Sequence, residues 1–163
     1  MMINTIHQRT IIGLMALIFS NTPFANVISE SESNAARILM LEQALAPNSP
    51  SEVAALFAKA TKARNCAVQF MLVSTSLKNK YKESCPYWVS GTSSPWITSY
   101  RIDKFSNNKK SSRFKITYQW ATAAGPFKPD LVQILVVEPV PVNAHSSQTF
   151  WITSLKDRDI HPQ

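Results

Sequence analysis

The sequence predicts an α+β domain, with helices packed on a curved, mainly antiparallel sheet of about four strands. Three observations predict it. Apolar residues recur at helical spacing from Ser49 to about Val73. From Pro95 onward the period changes to two, as in strands that bury one face. Between Leu131 and Val137 the chain is almost continuously apolar, over a length that suits a strand. Helices thus precede strands, and a sheet in that order takes the helices as its cover.

Each element has its own signal. Ser49 is placed as an N-cap, Pro50 suits the first turn, and Glu52 completes a Ser-x-x-Glu capping box. Val53, Leu56, Phe57 and Ala60 then define one apolar face. Lys59, Lys62 and Arg64 crowd the end of this helix, where the helix dipole favours positive charge, and Asn65 closes it. A second helical segment runs from Cys66 to Met71 or Val73. The polar run Ser74 to Glu83 follows, with Leu77 and Tyr81 at helical spacing. Cys85-Pro86-Tyr87-Trp88-Val89 is apolar and ends in Ser90-Gly91-Thr92-Ser93-Ser94, a loop by composition.

The strands follow. Trp96, Tyr100 and Ile102 share one face, opposite Ser99, Arg101 and Asp103. Phe114, Ile116, Tyr118 and Trp120 alternate with Arg113, Lys115, Thr117 and Gln119. Leu131 to Val137 reads as a central strand covered on both faces, stopped by Pro139 and Pro141. Thr149 to Leu155 supplies the last strand.

The N-terminal region reads as an export signal. Arg9 precedes the apolar run Ile11 to Phe19, and a polar segment leads to a cleavage point after Ala25. The run is short of the roughly 20 residues that span a bilayer, so no stable membrane anchor is expected. The chain therefore divides into a signal peptide (1–25), a linker with a short helical pattern (26–48), the folded domain (49–156) and a C-terminal tail (157–163). In the linker, residues 26–34 read as a flexible lead-in, and Ile38, Leu41 and Leu45 carry the helical spacing.

Charge and cysteines narrow the function classes. The net charge is +7, with basic residues scattered apart from Lys104, Lys109, Lys110, Arg113 and Lys115. These bracket Ser106-Asn107-Asn108, a hairpin tip whose lysines keep a sheet edge soluble; the alternative is a contact for anionic lipid, glycan or nucleic acid. The export signal argues further against nucleic acid as a partner. Cys66 and Cys85 are an isolated pair, which in an oxidising compartment reads as a disulfide. Two separate buried thiols are the alternative.

Several segments resemble a nuclear-transport-factor-2-like (cystatin-like) domain of bacterial extracytoplasmic proteins. They are Ser49-Pro50-Ser51-Glu52-Val53-Ala54, Ala67-Val68-Gln69-Phe70, Trp88-Val89-Ser90-Gly91, Ser93-Ser94-Pro95-Trp96-Ile97 with Ser99-Tyr100, Ala121-Thr122-Ala123-Ala124-Gly125-Pro126 and Phe150-Trp151-Ile152. The chain is similar to the module appended to antibiotic-sensor metallopeptidases, over about two-thirds of its length. The resemblance implies a cone between sheet and helices, where relatives bind small apolar molecules. It implies no shared catalytic set, and the cysteine pair departs from the pattern.

Direct signals for chemistry are weak. His145 and His161 lack partner patterns, no Gly-x-Ser-x-Gly elbow exists, and Gly91 and Gly125 make no phosphate loop. No cofactor or metal site is expected. Trp96, Tyr100, Tyr118 and Trp120 read first as core packing. With the Gln133 amide they are also the candidate lining of a ligand pocket. The expected function is an exported, non-enzymatic binding or interaction domain, taking a small apolar ligand or a protein partner. The alternatives are a pocket enzyme of the isomerase or dehydratase type, with Asp103 and Asp130 as nearest carboxylates, and a periplasmic assembly domain. Mass spectrometry of the exported protein checks the first step. A mature N-terminus at Asn26, with a mass short of two hydrogens for the disulfide, is expected; an intact Met1 in the cytoplasmic fraction refutes export.

Overall fold

In the computed structural model the residues described are 29–82, 95–108, 110–144 and 146–158. The signal segment, Cys85, the Trp88–Gly91 motif, Lys109, His145 and His161 lie outside them. Four helices, α1 (Glu30–Ala44), α2 (Pro50–Lys62), α3 (Cys66–Leu72) and α4 (Thr75–Tyr81), precede four strands. The strands are β1 (Trp96–Asn107), β2 (Ser112–Thr122), β3 (Gly125–Pro139) and β4 (Phe150–Arg158). They form one curved, unclosed sheet in the order β1-β2-β3-β4, each neighbour antiparallel. The fold class is α+β, as the sequence predicts.

Helix α2 is built as its sequence dictates. The Ser49 hydroxyl accepts from the Glu52 N–H, while the Glu52 carboxylate accepts from the Asn48 N–H rather than from Ser49, one residue outside the expected box. At the other end Arg64 takes a positive φ of 54°, and the Asn65 and Arg64 N–H groups bond the carbonyls of Ala60 and Thr61. That is a Schellman closure with arginine in the place glycine usually fills. Asn65 then caps α3, its Oδ1 accepting from the Val68 N–H at 3.1 Å. One residue ends a helix and starts the next, which fixes α3 against α2.

Both α2 and the sheet bury their apolar faces in a single cluster. Val53, Ala54, Phe57 and Ala58 meet Phe114, Ile116, Tyr118, Leu135, Val137 and Ile152, with Met71, Leu72, Val73 and Leu77 at the side. Val73 also adds a short parallel bridge to Ile152 on the β4 edge, and the Ser74 N–H bonds the Ile152 carbonyl at 2.9 Å. Ser74 caps α4, so the polar run after Val73 is helical through Tyr81, as the spacing of Leu77 and Tyr81 predicts.

Four other expectations need correction. The described part of the lead-in is helical from Glu30, where Ser29 and Glu32 form a complete capping box that starts α1. This helix buries none of its residues, and Ile38, Met40, Leu41 and Leu45 are exposed. In β1, a bulge between Ile97 and Ser99 breaks the alternation. Ile97 therefore packs on the core while Trp96 is 41% exposed.

The β3 strand is not covered on both faces. Ile134 and Val136 are half-buried, because Ile134 lies between Lys115 and Lys156 and Val136 beside Arg113. The aliphatic stems of those neighbours shield what no helix covers. Finally, β4 extends through Lys156, Asp157 and Arg158, residues expected in the domain's edge and tail.

The hairpin tip is where the lysines place it. Asn107 pairs with Ser112, and the Asn108 side chain accepts from the N–H groups of Lys110 and Ser111. Gly125, with φ of 122°, opens β3 after a two-residue turn. Substitution should separate core from surface sharply. Ile116→Ala, fully buried, is expected to cost about 2–5 kcal/mol in denaturant unfolding, whereas Leu41→Ala on α1 should stay within about 0.5 kcal/mol. Comparable losses at both positions would mean that α1 packs against the domain.

Candidate functional site

A cavity of about 290 Å³ opens between the helices and the β3–β4 end of the sheet. Phe57 from α2, Phe70 and Val73 from the α3 region, and Tyr81 from α4 form its helical side. Leu131 and Leu155 form its apolar wall on the sheet, and the polar groups are Gln69, Gln133 and Asp157. Phe57 and Tyr81 reach it because α2 crosses the sheet while α4 leans on β4. Gln133 and Asp157 are cross-strand partners on β3 and β4, on the same face as Leu135 and Leu155. Such a cavity, mostly apolar with a few placed polar groups, is the ordinary form of a small-molecule site.

The polar groups are tied together. The Gln133 Nε2 donates to Asp157 Oδ1 at 2.9 Å. Gln69 Nε2 donates to the Thr61 hydroxyl at 2.7 Å, and that hydroxyl donates to the Phe57 carbonyl. These bonds set both amides. A carboxylate only accepts, so Gln133 must turn its NH₂ toward Asp157. The single proton of Thr61 is already committed to Phe57, so Thr61 accepts from Gln69. Both Oε1 atoms are consequently acceptors, and both are buried without a partner. The buried Tyr118 hydroxyl also has none. Each such group costs about 1–3 kcal/mol of desolvation that nothing among the described residues returns.

Of the five candidate wall residues, Gln133 lines the cavity. Tyr118 is fully buried in the core cluster, its ring tilted on that of Tyr100 with centroids 6.2 Å apart. Trp120 lies outside that cluster. Past the bulge between Tyr118 and Trp120, its ring meets Phe127 edge-on at 5.2 Å, and its N–H bonds the Pro129 carbonyl. It is half-buried at the end of the sheet, so its alternation with Phe114, Ile116 and Tyr118 overstates its burial. Trp96 is exposed.

Neither expected carboxylate reaches the cavity wall: Asp103 pairs with Arg101, and Asp130 with Lys128. Asp157 is the carboxylate that does, and it was hidden in the tail. Extending the alternation of Leu155 by two residues would have found it. Cys66 lines the cavity and is not a free thiol. Its expected partner, Cys85, lies outside the described residues. Among the described residues no group of histidine, cysteine or carboxylate side chains is arranged to hold a metal.

Comparison with models of known protein families yields no match, and no curated protein is similar enough to count as a relative.

Burial holds the Tyr118 phenol well above its ordinary range, with Asp157 and Tyr100 adding in the same direction and the Thr61 side chain offsetting part. A raised folded pKa means that the folded state keeps the proton more tightly than the unfolded chain. Its contribution is therefore intact below about pH 10, the unfolded phenol value, and is lost as pH rises above it. Unfolding titrations should show stability falling above about pH 10. Tyr118→Phe should remove that tyrosine's share of the fall. At neutral pH the same substitution should be close to neutral, within about 1 kcal/mol, because it deletes an unpaired hydroxyl while keeping the ring. A loss of several kcal/mol at neutral pH would show that the hydroxyl has a partner after all.

Proposed function

We propose that the protein is an exported binding domain that holds a small, largely apolar molecule between its helices and the β3–β4 part of the sheet. The observation that carries this reading is the cavity itself. Its walls are Phe57, Phe70, Val73, Tyr81, Leu131 and Leu155, and its polar groups are few and clustered. Burial of an apolar ligand against such walls supplies free energy in proportion to the area removed from water.

The chemistry available favours binding over turnover. Asp157 is the carboxylate in the wall, it is exposed, and it is bonded to a neutral amide. General acid–base work needs a group of tuned pKa positioned against the substrate, and usually a second to complement it. The described part of the wall offers no such pair. Export, the resemblance to nuclear-transport-factor-2-like domains and a Cys66–Cys85 disulfide belong to the same proposal, supported by the N-terminal pattern, the quoted segments and the absence of a free thiol at Cys66.

Thermal unfolding with a simple aromatic hydrocarbon tests the cavity. Ethylbenzene at ten times its dissociation constant should stabilise the protein by about 1.4 kcal/mol through mass action. Leu131→Trp, which fills the cavity, should abolish that gain while leaving the far-ultraviolet circular dichroism unchanged. Ethylbenzene that stabilises the filled variant as well as the wild type, or neither of them, would defeat the reading.

A further inference from the structure

We infer that the cavity selects apolar molecules carrying a hydrogen-bond donor, an alcohol or an amine, and rejects carboxylic acids of the same shape. This rests on the binding reading above and names the ligand class for that site. Three facts about the wall lead to it. Gln69 and Gln133 both line the cavity, each about 96% buried, and each has an Oε1 that accepts no hydrogen bond. One N–H of each NH₂ is held by Thr61 or Asp157, so neither amide can flip and exchange its oxygen for its NH₂ without breaking a bond already made. The lining includes the Asp157 carboxylate and, among the described residues, no lysine, arginine or histidine.

The wall thus holds orphaned acceptors, covered by neighbouring atoms until a side chain shifts, and its described part lacks a cation. A ligand hydroxyl or amine N–H that reaches either amide oxygen gives a buried acceptor the partner it lacks, and that donor keeps the bond it made in water. A pure hydrocarbon fills the space but leaves those oxygens as they were. A carboxylate fares worst. It would bring an anion beside Asp157 and two amide oxygens, with nothing to neutralise it, and an unpaired charge is costly to bury. Size sets the scale of the molecule: 290 Å³ accommodates about ten water-sized groups, the bulk of a single ring with a short arm.

Isothermal titration calorimetry with four molecules of one skeleton tests this on the full mature chain. The set is ethylbenzene, 2-phenylethanol, 2-phenylethylamine and phenylacetate, at pH 7. The alcohol or the amine should bind about tenfold more tightly than ethylbenzene, as one added hydrogen bond to an orphaned acceptor gives. Phenylacetate should bind at least about tenfold more weakly than the tighter of the two. An advantage for the amine alone would assign the recognition to Asp157, and one shared by the alcohol would assign it to the amide oxygens.

Gln133→Leu and Gln69→Leu, each retaining ethylbenzene binding as proof of an intact cavity, should reduce the alcohol's advantage toward unity in at least one case. Equal affinity for ethylbenzene, alcohol and amine, or tight binding of phenylacetate, overturns the inference while the cavity reading stands. An advantage for the alcohol unchanged in both variants overturns it as well. Failure of all four molecules to bind removes the cavity reading and the inference together.

Discussion

The contact on which the rest of this structure depends is the apolar face of α2 laid across one face of a four-stranded sheet. Val53, Ala54, Phe57 and Ala58 are almost completely buried, and α2 touches all four strands. Two of those four residues are alanines, which let the helix axis approach the sheet closely. Phe57 fills the space further along. Of the other helices, α1 is long but buries none of its residues, and α3 and α4 have seven residues each. They are held by shared caps rather than by large faces of their own, with Asn65 joining α2 to α3 and Ser74 joining β4 to α4. One long helix and two short ones do not tile a curved sheet, and the cavity lies where their cover runs out.

The polar groups follow from the same geometry. Along β3 the core face carries Gln133, Leu135 and Val137 in turn, so the pleat delivers an amide to the same side as the core. Gln69 arrives from α3 and bonds Thr61 in the last turn of α2, so the cavity carries one polar pair from the helices and one, Gln133 with Asp157, from the sheet. Buried amides with free acceptors do not stabilise a fold. An isosteric apolar residue at Gln133 would spare the protein an unsatisfied oxygen and pack equally well. Locations where a chain departs from its cheapest packing are where binding chemistry is expected, and here the departure lies in the wall of the cavity.

How much of this was legible in the sequence depends on which rule each segment obeys. Helix α2 was legible at both ends because its caps are local: Ser49, Glu52 and the run to Arg64 lie within one short window. The β1–β2 hairpin was legible for the same reason, since Asn108 sets its own turn. Alternation failed at bulges. It assigned Trp96 and Trp120 to the buried face, although the register shifts after Ile97 and after Tyr118. The sequence places the strand from Leu131, yet β3 begins at Gly125 and passes through Pro126 and Pro129, at a stretch where its side chains are largely solvent-facing. The cavity was the least legible feature, because Gln69, Gln133 and Asp157 are far apart in the chain and each, alone, reads as an ordinary polar residue.

The outer face of the sheet explains why the site sits on the other side. Arg113, Lys115 and Lys156 take cross-strand positions beside Val136 and Ile134 on that face, and Arg101 stands opposite Thr117. Long flexible side chains can shield an apolar stripe while keeping their charges wet, but they cannot enclose a volume. A concavity requires rigid walls on two sides, and on this sheet the helices supply the second. Curvature then decides where along the sheet the gap opens. At the β1–β2 end, Tyr100 and Tyr118 fill the space with rings that touch. At the β3–β4 end the corresponding positions are Leu131, Gln133 and Leu155, which are thinner and leave room. The exchange of aromatic rings for aliphatic and amide side chains from one end of the sheet to the other is what turns a packed interior into a site.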